Sequence, residues 1–175
     1  MTKSLRDTFA KDNLPPAEQL PEFINLAKLG YPEKFNCAKN LLDDALAEGF
    51  GESIAIITPQ KEYTYSRLLK DANKIAHVLI DDCVLIPGNR VLLRAPNSYM
   101  MAAWWDGGVK AGGGGVSTMP LFRAKELGVM IEKAQIKIAL CDKRLKDELI
   151  KAKADSMLEN ILLFGGSELE KKMFE

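Results

Sequence analysis

The chain has 175 residues, enough for one ordinary domain, with 47% hydrophobic and 27% charged residues, which excludes intrinsic disorder and collagen-like repetition. Lys+Arg and Asp+Glu both number 24, so no net basic field is available to hold a nucleic-acid backbone or an anionic membrane. The three cysteines, Cys37, Cys83 and Cys141, lack CxxC spacing, and the single histidine, His77, gives metal binding little to work with. The cysteine usage predicts a reducing, cytoplasmic setting without a membrane span or a signal peptide.

Residues 1–35 are charge-balanced and punctuated by Pro15, Pro16, Pro21 and Pro32. They are predicted to form a lead-in packing on a body that starts near residue 36. Ala38, Leu41, Leu42, Ala45 and Leu46 recur at three- and four-residue steps, predicting one face of a helix that ends near Gly49 and Gly51. Ser53 to Ile57 and Glu62 to Tyr65 read as two short strands around Pro59-Gln60-Lys61. The next helix carries Leu68, Ala72, Ile75, Ala76 and Leu79 on one stripe, with Pro87-Gly88-Asn89 as its stop. Val91-Leu92-Leu93 is apolar on both faces, as in a buried parallel strand.

After Pro96-Asn97-Ser98 a helix is expected to about Lys110, then a glycine-rich strand over Gly112 to Met119. Leu127, Met130, Ile131 and Ala134 mark another helix face. Ile136, Ile138 and Leu140 alternate in a strand, Arg144 to Ala154 reads as helix, and Ile161 to Phe164 as a last strand before Gly165-Gly166. Repeated strand–helix alternation predicts an α/β fold: a largely parallel sheet with helices on both faces.

The residues offer few candidates for chemistry. Gly112 to Gly115 lacks the lysine of a Walker loop and enters a strand instead of opening a helix, so it reads as a helix stop with close backbone packing. Ser117 misses the closing glycine of a nucleophile elbow. His77 reads as a structural or surface histidine. Asp43-Asp44, Asp81-Asp82 and Asp147-Glu148 are adjacent pairs that diverge by about 100° on a helix and read as solvated faces. Trp104 and Trp105 read as core, with an aromatic pocket as the rival. Arg123 and Lys125 sit at a helix start, where two cations beside the positive helix end could hold a phosphate, or form an exposed basic turn.

The runs PGNRVLLRAPNS (Pro87 to Ser98), VKAGGG (Val109 to Gly114), STMPLFRAKEL (Ser117 to Leu127) and IKIALCD (Ile136 to Asp142) resemble the adenylate-forming acyl- and aryl-CoA synthetases, at the start of their large N-terminal domain. FNCAKNLLDDAL, YTYSRLLKDANKIAHVL and DNLPPAEQLPEF extend the resemblance upstream, and TMPLFRAKEL points to the benzoate- and 2-aminobenzoate-CoA ligase branch.

The resemblance implies that residues 36–175 are the first part of the AMP-binding domain. It implies a reaction of ATP, an aromatic carboxylic acid and CoA, assisted by Mg²⁺, in which an acyl-adenylate precedes the thioester. It also implies that the family's phosphate loop, adenine and ribose motifs and catalytic lysine lie downstream. No catalytic residue is then expected among these 175, and the segment alone is expected to be inactive and to bind no cofactor tightly. In relatives, basic residues at the start of the helix after the Met-Pro-Leu strand lie near the CoA 3′-phosphate, which makes Arg123 and Lys125 the implied contacts. Trp104-Trp105-Asp106-Gly107-Gly108 departs from the family's apolar helix, and two interior glycines cost roughly 1 kcal/mol each against alanine. That departure is either a kink that shapes a cleft or drift away from a working enzyme. The alternative function is a non-catalytic interaction module, dimerising or aggregating through an exposed sheet edge.

Overall fold

A computed structural model describes residues 6–22 and 24–165. Phe23 of the lead-in motif, Lys3 and Gly166 lie outside the described residues.

Four parallel strands form the central sheet: β3 (Arg90–Arg94), β4 (Gly114–Thr118), β5 (Ile138–Asp142) and β6 (Asn160–Phe164), in the order β4-β3-β5-β6. The connecting helices are α4 (Tyr99–Lys110), α5 (Ala124–Lys133) and α6 (Lys146–Ala154). The chain steps from β3 to β4 in one direction and from β4 through β5 to β6 in the other. Right-handed crossovers of opposite direction place their helices on opposite faces. Accordingly Val91, Leu93, Ile138, Leu140 and Phe164 face a core shared with α3 (Tyr65–Asp81) and α4. Leu92, Ala139 and Cys141 face a second core, shared with Leu127 and Ile131 of α5 and Leu149 of α6. The expected α/β architecture with both sheet faces covered is therefore present.

Double coverage also accounts for the burial of β5. Ile138 and Leu140 meet the core of α3 and α4, and every residue of the strand is buried. Ala139 and Cys141 are small enough to pack under α5 and α6, and Ile136 lies ahead of the strand, following Gln135 at a positive φ of 54°.

Before the sheet lie the short α1 (Phe9–Asp12), a π-helical turn over Lys39–Asp44 that runs into α2 (Ala45–Ala47), and an antiparallel hairpin of β1 (Ile54–Ile57) and β2 (Glu62–Thr64). The π-turn changes the expected helix face. With wider winding than 3.6 residues per turn, Ala38 and Leu42 are buried while Leu41 is turned out and exposed. Thr64 ends β2 and caps α3 by accepting from the Arg67 N–H at 3.3 Å. The stripe of α3 is buried as expected, but the helix closes at Asp81, well before Pro87. Leu85 N–H donates to Leu79 O and Val84 takes a left-handed φ of 53°, so the chain turns without proline.

The N-terminal segment is tied to the lower end of the sheet. Arg6 and Asp7 donate their N–H groups to Pro87 O, and the Asp7 carboxylate accepts from Arg90 and from Asn89 Nδ2. Arg90 also donates to the carbonyls of Gly88, Ala134 and Gln135 and lies 4.6 Å from the Phe9 ring centroid.

Helix α4 is uninterrupted through Gly107 and Gly108, so the glycines make no kink. A Cβ on Gly107 would stand 2.5 Å from Ile75 Cγ2, so that glycine lets α4 approach α3. Trp104 is in the core against Phe164, with ring centroids 5.9 Å apart, as its helical spacing predicts. Trp105 is 37% exposed and covers the edge strand at Gly115, where an added Cβ would lie 3.2 Å from the indole nitrogen. Thin strand and bulky tryptophan are thus complementary, a fit that drift alone does not explain.

Candidate functional site at the upper edge of the sheet

In a parallel sheet of this order, the crevice where strand order reverses opens beyond the C-terminal ends of the first and third strands. Here that switch point lies between β3 and β5. Two cavities flank the end of β3.

The wider, about 810 Å³, lies between the β1–β2 hairpin and the start of α4. Part of its polar lining is tied up internally. Buried Asp71 accepts from Arg67 Nε and from the Tyr99 hydroxyl, each at 2.7 Å. Tyr99 stacks on Tyr63 at 3.6 Å between centroids. Burial, with Asp71 beside it, raises the Tyr99 pKa, so the phenol stays protonated.

The second cavity, about 310 Å³, is lined by Arg94, the Pro120–Arg123 loop and the Arg144–Glu148 segment. Arg94 closes β3 and is 1% exposed. Its guanidinium donates to four carbonyls: Nε to Leu145 at 3.2 Å, Nη1 to Met119 at 3.0 Å, and Nη2 to Pro120 and Phe122 at 3.0 and 2.8 Å. Burial lowers its pKa, but arginine retains its proton in proteins. Asp142, at the end of β5, is 3% exposed and accepts from the Arg144 N–H, Nε and Nη2 at 2.7–2.9 Å. Those bonds hold its carboxyl below the usual range and fix Arg144 at the cavity rim.

Arg123 precedes α5 with its side chain 77% exposed, and its Nη1 is 3.8 Å from Glu148 Oε1. Lys125 is exposed in the first turn. The start of α5 is already supplied with carboxylates: Arg123 N–H donates to Glu126 Oε2 and Ala124 N–H to Glu148 Oε2, both at 3.0 Å. Free helix-end amides therefore contribute less here than the helix-end argument supposed. The lining side chains bring the positive charges of Arg94, Arg123 and Arg144, offset in part by Asp147 and Glu148. The lining includes no serine, cysteine or histidine, and its carboxyls are those of Asp147 and Glu148. Cys141 lies beneath the sheet end, its thiol pushed up to about 12 by burial.

Several sequence readings change at this point. Glu148 is not a solvated face, since it ties α6 to the start of α5 and pairs with Lys151 at 2.8 Å. Asp43 pairs with Lys110, and Asp44 with Lys39 at 2.6 Å. His77 is exposed, 3.7 Å from Asp81, in line with a surface histidine. Arg94, Asp142 and Arg144 went unrecognised. Their signal was an arginine closing an otherwise apolar strand and an Asp-x-Arg step after another.

Residues 44–174 match the family model described as AMP-binding enzyme. A long-chain-fatty-acid–CoA ligase from Bacillus subtilis (strain 168) is 32% identical over 145 residues, which are 82% of this chain and 25% of that protein. The structure of an anthranilate CoA ligase in complex with anthranoyl-AMP superposes with a TM-score of 0.72 at 22% identity, over 79% of this chain and 26% of that one. A benzoate CoA ligase from Burkholderia xenovorans LB400 gives 0.68 at 21% identity, over 81% and 28%. The chain thus spans about a quarter of the length of these proteins. With three-quarters of its residues inside the family match and a sheet that superposes on solved ligases, the chain belongs to the AMP-binding enzyme family.

Proposed function

We propose that the chain is the N-terminal part of the large domain of an aryl-acid–CoA ligase, acting on 2-aminobenzoate or benzoate. Residues 1–35 serve as a lead-in and residues 36–175 as the first part of the AMP-binding domain. The observation that carries this reading is the STMPLFRAKEL segment, which resembles the aryl branch and forms one wall of the cationic cavity at the switch point. The anthranilate and benzoate ligases that share the fold support it. The Bacillus relative is a fatty-acid ligase, so the acid is the part that needs an assay.

The reaction has two displacements. An oxygen of the aromatic carboxylate attacks the α-phosphorus of ATP, and pyrophosphate leaves with the electron pair of the broken P–O bond. The CoA sulfur then attacks the acyl carbon, AMP leaves with its oxygen, and the thiol proton passes to solvent. Replacing a poor leaving group by AMP is covalent activation. This segment's contribution is to hold CoA: Arg123 and Lys125 contact its phosphate, with Arg144 fixed beside them by Asp142. Among the described residues no group of three or more His, Cys, Asp or Glu side chains could hold a metal ion. No step is routed through Mg²⁺ here.

By themselves these 175 residues are proposed to be inactive, since the resemblance places the phosphate loop, the adenine and ribose motifs and the catalytic lysine downstream. Three free thiols and the lack, among the described residues, of any helix long and apolar enough to cross a membrane are compatible with the cytoplasmic location that belongs to this reading.

The test is made in the longer ligase that carries this segment. Pyrophosphate exchange should be supported by 2-aminobenzoate or benzoate, and better turnover with a long-chain fatty acid would sink the aryl assignment. Arg123→Glu should raise KM for CoA roughly tenfold and leave pyrophosphate exchange unchanged, as expected for loss of a charge-assisted contact to one substrate. A second reading, a self-associating module, is favoured by β4, which has β3 as its sheet neighbour among the described residues and leaves Gly114, Gly115 and Ser117 exposed. A discrete dimer in light scattering would support it, and a monomer would remove it.

A further inference from the structure

We infer that Arg94 is a positioning residue for CoA, holding the Met119–Phe122 loop against the start of α6 so that Arg123 and Arg144 stand on one rim. This rests on the reading of the cavity as the CoA phosphate contact.

An arginine side chain is rarely buried without a paired carboxylate, because removing a charge from water is costly unless every donor is met. Arg94 is almost fully buried, and it donates its hydrogen bonds to neutral carbonyls. Three of the four belong to one short loop, Met119, Pro120 and Phe122, and the fourth to Leu145 on the opposite wall. A guanidinium has a rigid planar fork, whereas an ammonium is a compact point donor. One side chain at the end of β3 therefore ties together two segments that leave different strands, β4 and β5.

Each segment carries a cation adjacent in sequence to a clamped carbonyl. Arg123 follows Phe122, and Arg144 precedes Leu145. Arg144 is additionally fixed by Asp142, and Arg123 is steadied by Glu148. Apart from Arg94, the loop is held by the Phe122 N–H bond to Met119 O and by Phe122 against the second core, while Met119 and Leu121 are 56% and 79% exposed. Without the fork, Pro120 and Phe122 would lose the donor to their carbonyls and the loop would be free to shift relative to Arg144.

Arg94→Lys retains the charge and removes the fork. In the longer ligase it should raise KM for CoA about tenfold, since a small displacement of a positioning group suffices for a change of that size. Pyrophosphate exchange with the acid and ATP should be unchanged. A general loss of folding would lower both half-reactions together, so that split separates positioning from bulk structure. In the 175-residue chain, amides of residues 121–123 should exchange with solvent at least several-fold faster in Arg94→Lys, while those of β3 and β5 keep their protection.

Unchanged KM for CoA in Arg94→Lys, with Arg123→Glu still raising it, overturns the role of Arg94 and leaves the cavity reading standing. Unchanged amide exchange at residues 121–123 also overturns it. Should Arg123→Glu leave KM unchanged, the cavity reading fails and the inference falls with it. The Arg123 control thus tells the two failures apart.

Discussion

Two neighbouring glycines in α4 should respond to the same substitution with opposite signs. Gly107 and Gly108 both sit inside an uninterrupted helix, where alanine is worth about 1 kcal/mol over glycine by propensity. At Gly108 an added Cβ meets nothing within 4 Å, so Gly108→Ala should gain that amount. At Gly107 the Cβ would lie 2.5 Å from Ile75 Cγ2, 2.7 Å from Ile75 Cβ and 3.0 Å from Ala72 O. Carbon atoms prefer about 3.5–4.0 Å, so the shortfall is about 1 Å. Ile75 is β-branched and in a helix, which leaves it one strongly preferred rotamer and no easy retreat. Helices α3 and α4 must then move apart.

Overpacking of this kind costs about 1–3 kcal/mol, which less the propensity gain of about 1 kcal/mol leaves Gly107→Ala destabilised by up to about 2 kcal/mol. At about 2–4 °C per kcal/mol for a chain of this size, thermal unfolding followed by circular dichroism should show Gly108→Ala raised by about 3 °C and Gly107→Ala lowered by up to about 6 °C. The double variant Gly107→Ala with Ile75→Ala should lose less than the two single losses added, because the truncation removes the clash. Equal signs at the two glycines would refute the reasoning, as would strict additivity of the pair.

Other outcomes follow from buried polar groups. Asp106 is 9% exposed and its pKa is pushed up to about 6 by burial, so the folded state holds the proton more tightly than the unfolded chain does. Stability therefore falls as pH rises from about 4 to 6, and the penalty is fully present above pH 6. Asp106→Asn should flatten the pH dependence of unfolding in urea across that window and raise the unfolding free energy at pH 8 by up to about 3 kcal/mol, and a steeper pH dependence in the variant would contradict this. Asp71→Ala leaves the Tyr99 hydroxyl without its partner and should cost about 2–3 kcal/mol, whereas Tyr99→Phe should cost about 1 kcal/mol because Asp71 keeps Arg67. Equal losses in chemical denaturation would show that the Tyr99 bond, not burial of an unmatched group, governs the site.

The order of strands and helices was legible in local spacing. Alternating apolar and turn residues name each of the four parallel strands to within two residues, because a doubly covered sheet needs continuous apolar runs between polar connections. Ser98 announces α4 through the same chemistry that caps it, accepting from Met101 N–H at 3.2 Å. The family motifs were legible as well, and they span whole elements: α3, β3, β5 and the loop that leads from β4 into α5.

Other features follow no local rule. The π-turn at Lys39–Asp44 rotates Leu41 out of the core, although its spacing is that of an ordinary helix. Gly107 and Gly108 are indistinguishable in composition, yet Ile75, thirty-two residues before Gly107, decides that the first is needed and the second is not. Arg94 reads as a polar strand end, but becomes a clamp because β4 and β5 deliver carbonyls of residues 119–122 and 145 to it from distant points of the chain. Periodicity reports which side of an element is apolar, since that depends on neighbours a few residues away. The distance between packed backbones and the partners of a buried charge depend on residues far apart in the chain, and they are settled only when the sheet order brings those residues together.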